Sequence, residues 1–516
     1  MKLILVAACV SISMGLVRAQ FGRGGEDWMT SGGDAQRSSW VRTDPKISSD
    51  RMQNPGFQFL WKRKLNNQPV QLNSLSPAIL LDFYIGYRGF RSLAFVGGSS
   101  NNVFAIDTDL ARLEWQTHLP STVSAQGASL VCPGGMTANV ARPTTAAFPM
   151  PNPRGGGRSG PASSAAGTSG EGAVTIATVA AINNAPPLPG RGAPPPNPGP
   201  RPSYIDAISN DGMFHRLYVS TGLEAAPAVQ FLPANVNAQG LIVINEVAYV
   251  TTAQSCGGAP NGVWALDLAT GQVATWHTEA GIAGSSGPAF APDGTLFVAT
   301  GRGDFVALEA RSLKVKGTYT SAQQEFTSSP VLFEHRGKLL AALATKDGLI
   351  QLIEASDHPA LVAKAPAFPN AADFAPGALS SWLAPDGTRW LLASSAGSVG
   401  AWKVVDQSGG PALQPGWVSH ELVSPVTPTI INGVVFALSS GELRSSDGNL
   451  SAVERAQRSS PAVLYALDAL TGRELWNSGK TMTSFVHGGG VTGFGGQVYV
   501  GTHDGTLYAF GFPVEH

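Results

Sequence analysis

Apolar positions along the chain come in short runs, either alternating with polar residues or continuous for four or five positions. Gly240-Leu241-Ile242-Val243-Ile244, Val247-Ala248-Tyr249-Val250-Thr251, Thr295-Leu296-Phe297-Val298-Ala299 and Gln497-Val498-Tyr499-Val500-Gly501 are examples. Each is rich in β-branched and aromatic side chains and is bounded by Gly, Pro or Asp-Gly, so each predicts a strand.

These strands belong to a repeat. Val263-Trp264-Ala265-Leu266-Asp267-Leu268-Ala269-Thr270-Gly271 is followed by Trp276, and Leu464-Tyr465-Ala466-Leu467-Asp468-Ala469-Leu470-Thr471-Gly472 by Trp476. Val103-Phe104-Ala105-Ile106-Asp107 leads to Trp115 in the same way, and Phe305-Val306-Ala307-Leu308-Glu309 leads to Tyr319. Fainter copies place Arg216, Leu352, Ala401 and Ala509 at the Ala position. The eight anchors, at 105, 216, 265, 307, 352, 401, 466 and 509, are separated by 111, 49, 42, 45, 49, 65 and 43 residues. Five of these gaps suit a four-stranded blade, and the two long ones contain visible insertions. The pattern predicts an all-β, eight-bladed propeller of four-stranded antiparallel blades.

Further expectations follow from that register. Five residues before the anchor stand Asp211-Gly212, Arg302-Gly303, Asp347-Gly348, Ala396-Gly397 and Asp504-Gly505, where a hairpin turn favours glycine. The anchor Asp is placed to accept backbone N–H bonds in the following turn. The Trp is placed to cover the seam between blades and donate its indole N–H there. The last copy stops at Tyr508-Ala509-Phe510-Gly511, while Phe57 to Leu65 is an orphan strand carrying Trp61. Pairing the two closes the ring and puts Trp61 where Trp476 sits in blade seven.

Composition agrees with this reading. Charged residues make up 13% of the chain, against roughly 25% in an average soluble domain. Gly (61) and Pro (37) are abundant, as many tight turns require. A net charge of −1 offers no field for nucleic acid.

Lys2, the apolar stretch Leu3 to Val17 and Val17-Arg18-Ala19 read as an export signal over residues 1–19, too short for a membrane span. Val6-Ala7-Ala8-Cys9 is the competing lipoprotein reading. Residues 20–56 form an N-terminal extension and 57–516 the propeller. A Pro/Gly-rich insertion at about 143–203 buries too little apolar surface to order, except for a short strand at Ala173 to Ala181. Residues 441–460 read as a polar loop. In an oxidising compartment Cys132 and Cys256 predict a disulfide; two buried thiols are the alternative.

The phrase Ala-Leu-Asp-x-x-Thr-Gly-x-x-x-Trp resembles the docking motif of the pyrroloquinoline-quinone (PQQ)-like repeat family, in the quinoprotein alcohol dehydrogenase-like superfamily. Asp27-Trp28-Met29-Thr30-Ser31-Gly32-Gly33-Asp34 is similar to openings common there. The resemblance implies one of two functions. The first is a non-catalytic scaffold that receives a protein, glycan or small molecule on its loops. The second is an alcohol or sugar dehydrogenase using PQQ with calcium. Paired adjacent cysteines, a Cys-x-x-Cys-His haem motif and a recognisable calcium set do not occur in the sequence, so no catalytic, cofactor or metal residues are assigned. His487 and His503 share the last blade and read as rim histidines. Arg302-Gly303-Asp304 spells an adhesion tripeptide but fills a hairpin slot. Trp382 and Trp390 fit either a funnel mouth or a seam.

Overall fold

The computed structural model describes residues 27–149, 203–366 and 376–513, apart from 87, 88, 125, 126, 128, 323, 446 and 448. The segment expected to be an export signal, Cys9 and most of the insertion, including Ala173 to Ala181, lie outside the described residues. Eight sheets follow one another along the chain. Blades one to seven span 79–118, 204–230, 237–278, 289–320, 331–366, 380–418 and 429–477. Blade eight combines 492–511 with the N-terminal strand Gln58–Lys64, which pairs antiparallel with Thr506–Gly511 and places Trp61 opposite Ala509. The ring is therefore closed by the two ends of the propeller sequence. Phe57 packs against Trp476, Phe436 and Phe512, which fixes the closing strand in place.

Three sheets depart from four strands. Blade two has three, and only an isolated bridge, Ala141 to Asp206, stands in its inner position. Its anchor carries Arg216, which is bonded to the fully buried Asp206 at 2.8 Å instead of packing a small apolar side chain. Blades three and seven gain a fifth, parallel strand on the channel side, Pro143–Thr144 and Trp40–Val41 respectively. The loop at 441–460 contains a helix, Ala452–Arg458, held by a capping box between Ser451 and Glu454. The hairpin slot behaves as expected at Gly212, Gly303, Gly348 and Gly505, all with φ between 78° and 89°. Gly397 is not in the left-handed region, because Ser395 and Ser398 close that turn through their own hydroxyls.

Apolar side chains fill the seams between neighbouring sheets. The largest cluster runs through blades seven, eight and one and includes fully buried Phe95, Phe104, Phe436, Phe494, Tyr499 and Phe510. Each ring stabilises the seam by roughly 2–3 kcal/mol relative to exposure. Trp382 and Trp390 are a stacked cross-strand pair inside the blade-six core, 2% and 3% exposed, so neither lines the funnel.

The N-terminal extension is built into the ring. Trp28 exchanges two backbone hydrogen bonds with Leu80 of blade one. The Arg142 N–H then donates to Met29, and Thr30 Oγ1 to the Leu241 carbonyl of blade three. The amides of Phe290, Leu332, Ser381 and Ile430, in blades four to seven, donate in order to the carbonyls of Ala35, Gln36, Ser38 and Ser39. Each donor is the second residue of its inner strand. Asp44 finally accepts the Gly496 amide of blade eight. One strap of chain thus runs around the channel and satisfies inner-strand edges that would otherwise be unpaired.

Candidate functional site

The repeat residues lie at the seams. Trp115 stands opposite Ala105, Trp476 opposite Ala466, and Trp61 opposite Ala509. In blade three Ala265 faces Ala274 and Trp276 faces Val263; in blade four Ala307 faces Gly317 and Tyr319 faces Phe305. Asp107, Asp267 and Asp468 each accept two backbone N–H bonds in their turns. Glu309 instead accepts the Ser312 hydroxyl. The indoles lock onto the following blade. Trp61 donates to Thr108 O, Trp115 to Val219 O and Trp417 to Ala469 O, at 2.9–3.0 Å. In each case the acceptor lies three residues past the anchor position.

In two of these seams a turn glycine six past the anchor receives the same indole. A Cβ on Gly222 would come within 2.5 Å of Trp115, and one on Gly472 within 2.5 Å of Trp417. Gly271 faces open space, because blade two supplies no outer Trp. These residues build the ring and stand apart from its channel.

The channel opens on one face as a funnel of about 560 Å³. Its wall is made from the segments that lead into the inner strands, such as Leu75-Ser76-Pro77, Phe326-Thr327 and Thr427 to Thr429, and from the strap at Trp28 and Ser31. Serine, threonine, glycine and side-chain amides dominate. Among the described residues this lining holds no Asp, Glu, Lys or Arg, and its single ionisable side chain is His487. His487 Nδ1 is hydrogen-bonded to Glu442 Oε1 at 2.7 Å. Burial pushes the Glu442 carboxyl up, but His487 and Arg444 outweigh it and hold it below the usual range. His503 stacks on Phe485, and its Nε2 lies 3.2 Å from Gln71 O. Burial holds its imidazole below the ordinary value.

On the blade-three side, the Cys132–Cys256 disulfide (Cα–Cα 5.4 Å) ties the loop that supplies Leu130, Val131 and Pro133 to the turn after Val247–Ala253. The funnel residues other than His487 escaped sequence reasoning. Two of the wall segments carry a Ser/Thr-Pro step just before an inner strand, at Ser76-Pro77 and Thr427-Pro428.

The resemblance of the repeat phrase raises the question of PQQ with calcium. A tricarboxylate quinone calls for cationic side chains, and calcium calls for several convergent oxygens, carboxylates among them. The described funnel wall offers neither, and its neighbouring disulfide joins cysteines 124 residues apart instead of adjacent ones. The residues present do not fit that group.

Residues 261–458 match the family model described as outer membrane protein assembly factor BamB. No curated protein sequence matches the chain. Among solved structures, a quinohemoprotein alcohol dehydrogenase from Comamonas testosteroni is similar with a TM-score of 0.58 and 14% identity, over 97% of this chain and 82% of that one. A europium-containing methanol dehydrogenase gives 0.56 and 12%, over 95% and 98%. Saccharomyces cerevisiae Sqt1 gives 0.50 and 12%, over 89% and 100%. At these identities the likenesses concern architecture. Taken with the anchors and seams described above, they show that the chain has the eight-bladed β-propeller fold of these structures, with the matched repeat at residues 261–458.

Proposed function

We propose that this is an exported, non-catalytic binding module whose funnel face receives its ligand or partner. The observation that carries this reading is the funnel wall, uncharged among its described residues, with its one imidazole already engaged by Glu442. A rigid ring with small hydrogen-bonding side chains at its mouth suits recognition, and its described lining offers neither the cations nor the carboxylates that PQQ with calcium calls for. The export reading rests on the N-terminal sequence and is consistent with the disulfide, a bond that persists in oxidising compartments. No helix among the described residues is long and apolar enough to cross a membrane.

The test is to mix the purified protein with PQQ and calcium, remove the excess, and record the quinone absorbance and dye reduction with alcohols and sugars. The reading expects no retained quinone and no dye reduction. Stoichiometric quinone with turnover overturns it in favour of a dehydrogenase.

A further inference from the structure

Two gaps break the spacing of the anchors, the 111 residues from 105 to 216 and the 65 from 401 to 466. Each holds a segment that lies outside the sheets, and the two segments meet. Leu130, in the first, packs onto a cluster of Ala452, Leu72 and Phe485, which Ala456 also joins; Ala452 and Ala456 belong to the helix in the second. Two residues after Leu130, Cys132 is bonded to Cys256 of blade three, and Asn237 of the same blade donates to the Val131 carbonyl at 3.0 Å. Leu72 and Phe485 lie on the approaches to blades one and eight, and the helix is inserted in blade seven. In a closed ring of eight, blades three and seven stand opposite one another. Three consecutive residues, which span at most about 7 Å between their end Cα atoms, therefore link opposite sides of the mouth. Leu130, Val131 and Pro133 also line the cavity beneath.

The two ends of this link are unequal. At blade three it is covalent and backed by Asn237. At the helix it is a small apolar contact: the cluster has three buried members, is separate from the cores that fill the seams, and Leu130 itself is only half-buried. Parting it uncovers little apolar surface, so it opens at far lower cost than a seam does. The contact also adjoins the one ionisable side chain of the described lining. Phe485 stands two residues before His487, and Glu442, at the start of the insertion that carries the helix, holds the His487 ring. We infer that Leu130 and the helix Ala452–Arg458 form a latch across the funnel mouth. The latch parts at the apolar cluster while the disulfide keeps residues 129–133 on blade three, and its release opens the way to His487. That it thereby admits a ligand rests on the reading of the funnel as a binding face.

The test is hydrogen exchange on the disulfide-intact protein, with the readouts crossed between the two halves. Leu130→Asp should speed exchange of the helix-end amides of Arg455 and Ser459, which donate to the carbonyls of Ser451 and Arg455, by about fivefold or more. Ala452→Asp puts an acid at the first helical position, which suits the helix itself. It should speed exchange of Cys132 and Met136, bonded to Ser129 Oγ and the Ser99 carbonyl, by a similar factor. In both variants carbethoxylation of His487 should be about threefold faster or more, with exposed His358 as the internal control. The melting temperature should stay native, because the seam cores are untouched. Faster exchange only in the half that carries the substitution overturns the latch, and so does a fall in melting temperature of the size expected for a seam residue. Crossed exchange with no change at His487 overturns its control of the mouth. None of these readouts involves a ligand or a quinone. Retained quinone with turnover overturns the non-catalytic reading and leaves the latch standing, and failure of the latch leaves that reading untouched.

Discussion

The propeller is closed twice, at its outer seams and at its hub, by opposite means. At the seams the same small device recurs: an indole from one blade donates to a carbonyl of the next and covers a turn glycine, as Trp115 does with Val219 and Gly222. At the hub nothing recurs. A single strap, residues 28–44, serves all the blades in turn, and Arg37 pins it. Arg37 is fully buried, with φ of 61°, and donates to Pro288 O, Thr30 Oγ1, Ser31 O and Gly240 O. Desolvation lowers its pKa to about 9, against the attraction of Asp34. Seam contacts couple two blades at a time, whereas the strap couples the whole ring. Damage to a seam should therefore stay local, and damage to the hub should spread.

The largest effect that sharpens this contrast is expected from Arg37→Met. It leaves four acceptors, three of them buried, without their donor, a cost of about 3–5 kcal/mol. Chemical denaturation should show a lower midpoint and a broader transition, since blades that no longer share the strap unfold less cooperatively. Trp417→Ala should cost a similar or slightly smaller amount, about 3–4 kcal/mol, through the cavity it opens and the lost bond to Ala469. Its transition should stay sharp, and a broadened one would break the contrast.

Glycine substitutions give a finer comparison. Gly271 and Gly472 share φ near 71°, but only Gly472 lies under an indole. Gly271→Ala should cost about 1 kcal/mol for conformation alone, and Gly472→Ala about 2–3 kcal/mol. Much of the excess should vanish in a Trp417→Ala background, as a double-mutant cycle would show.

The smallest effect is on pH dependence at the junction of blades seven and eight. Burial favours neutral His503, so its contribution is intact above pH 6.5 and is lost as pH falls through that value. Glu442 is held below its ordinary 4.5, so its contribution is present above pH 4.5 and is lost below it. The melting temperature should fall by about 1–3 °C between pH 7.5 and 5.5. His503→Phe, which keeps the stack on Phe485, should flatten that slope.

The same contrast explains what could be read from the sequence. The seams were legible because the device repeats: the spacing from Ala105 to Trp115 equals that from Ala466 to Trp476, and the orphan Trp61 could be assigned by analogy. Trp417 was missed because the strands Val399–Gln407 and Gly410–Val418 form a long hairpin, which carries the indole to the sixteenth residue past Ala401 instead of the tenth. The strap was illegible for a deeper reason. Ala35, Gln36, Ser38 and Ser39 act through backbone carbonyls, which leave no mark on side-chain choice. The helix Ala452–Arg458 did carry a signal, Ser451 three residues before Glu454, hidden inside a stretch that looked uniformly polar. The funnel was the least legible region, because its wall is assembled from short loop segments far apart in the sequence.

Hydrogen exchange tests the hub most directly. Peptides covering the inner strands Ala289–Phe290, Val331–His335, Ser380–Leu383 and Thr429–Ile431 should exchange only through global opening in the native chain. In Arg37→Met all four should lose protection together, while the outer strands Arg112–His118 and Gly410–Val418 keep theirs. Loss confined to blades three and four, where Arg37 makes its side-chain contacts, would contradict a strap that couples the ring.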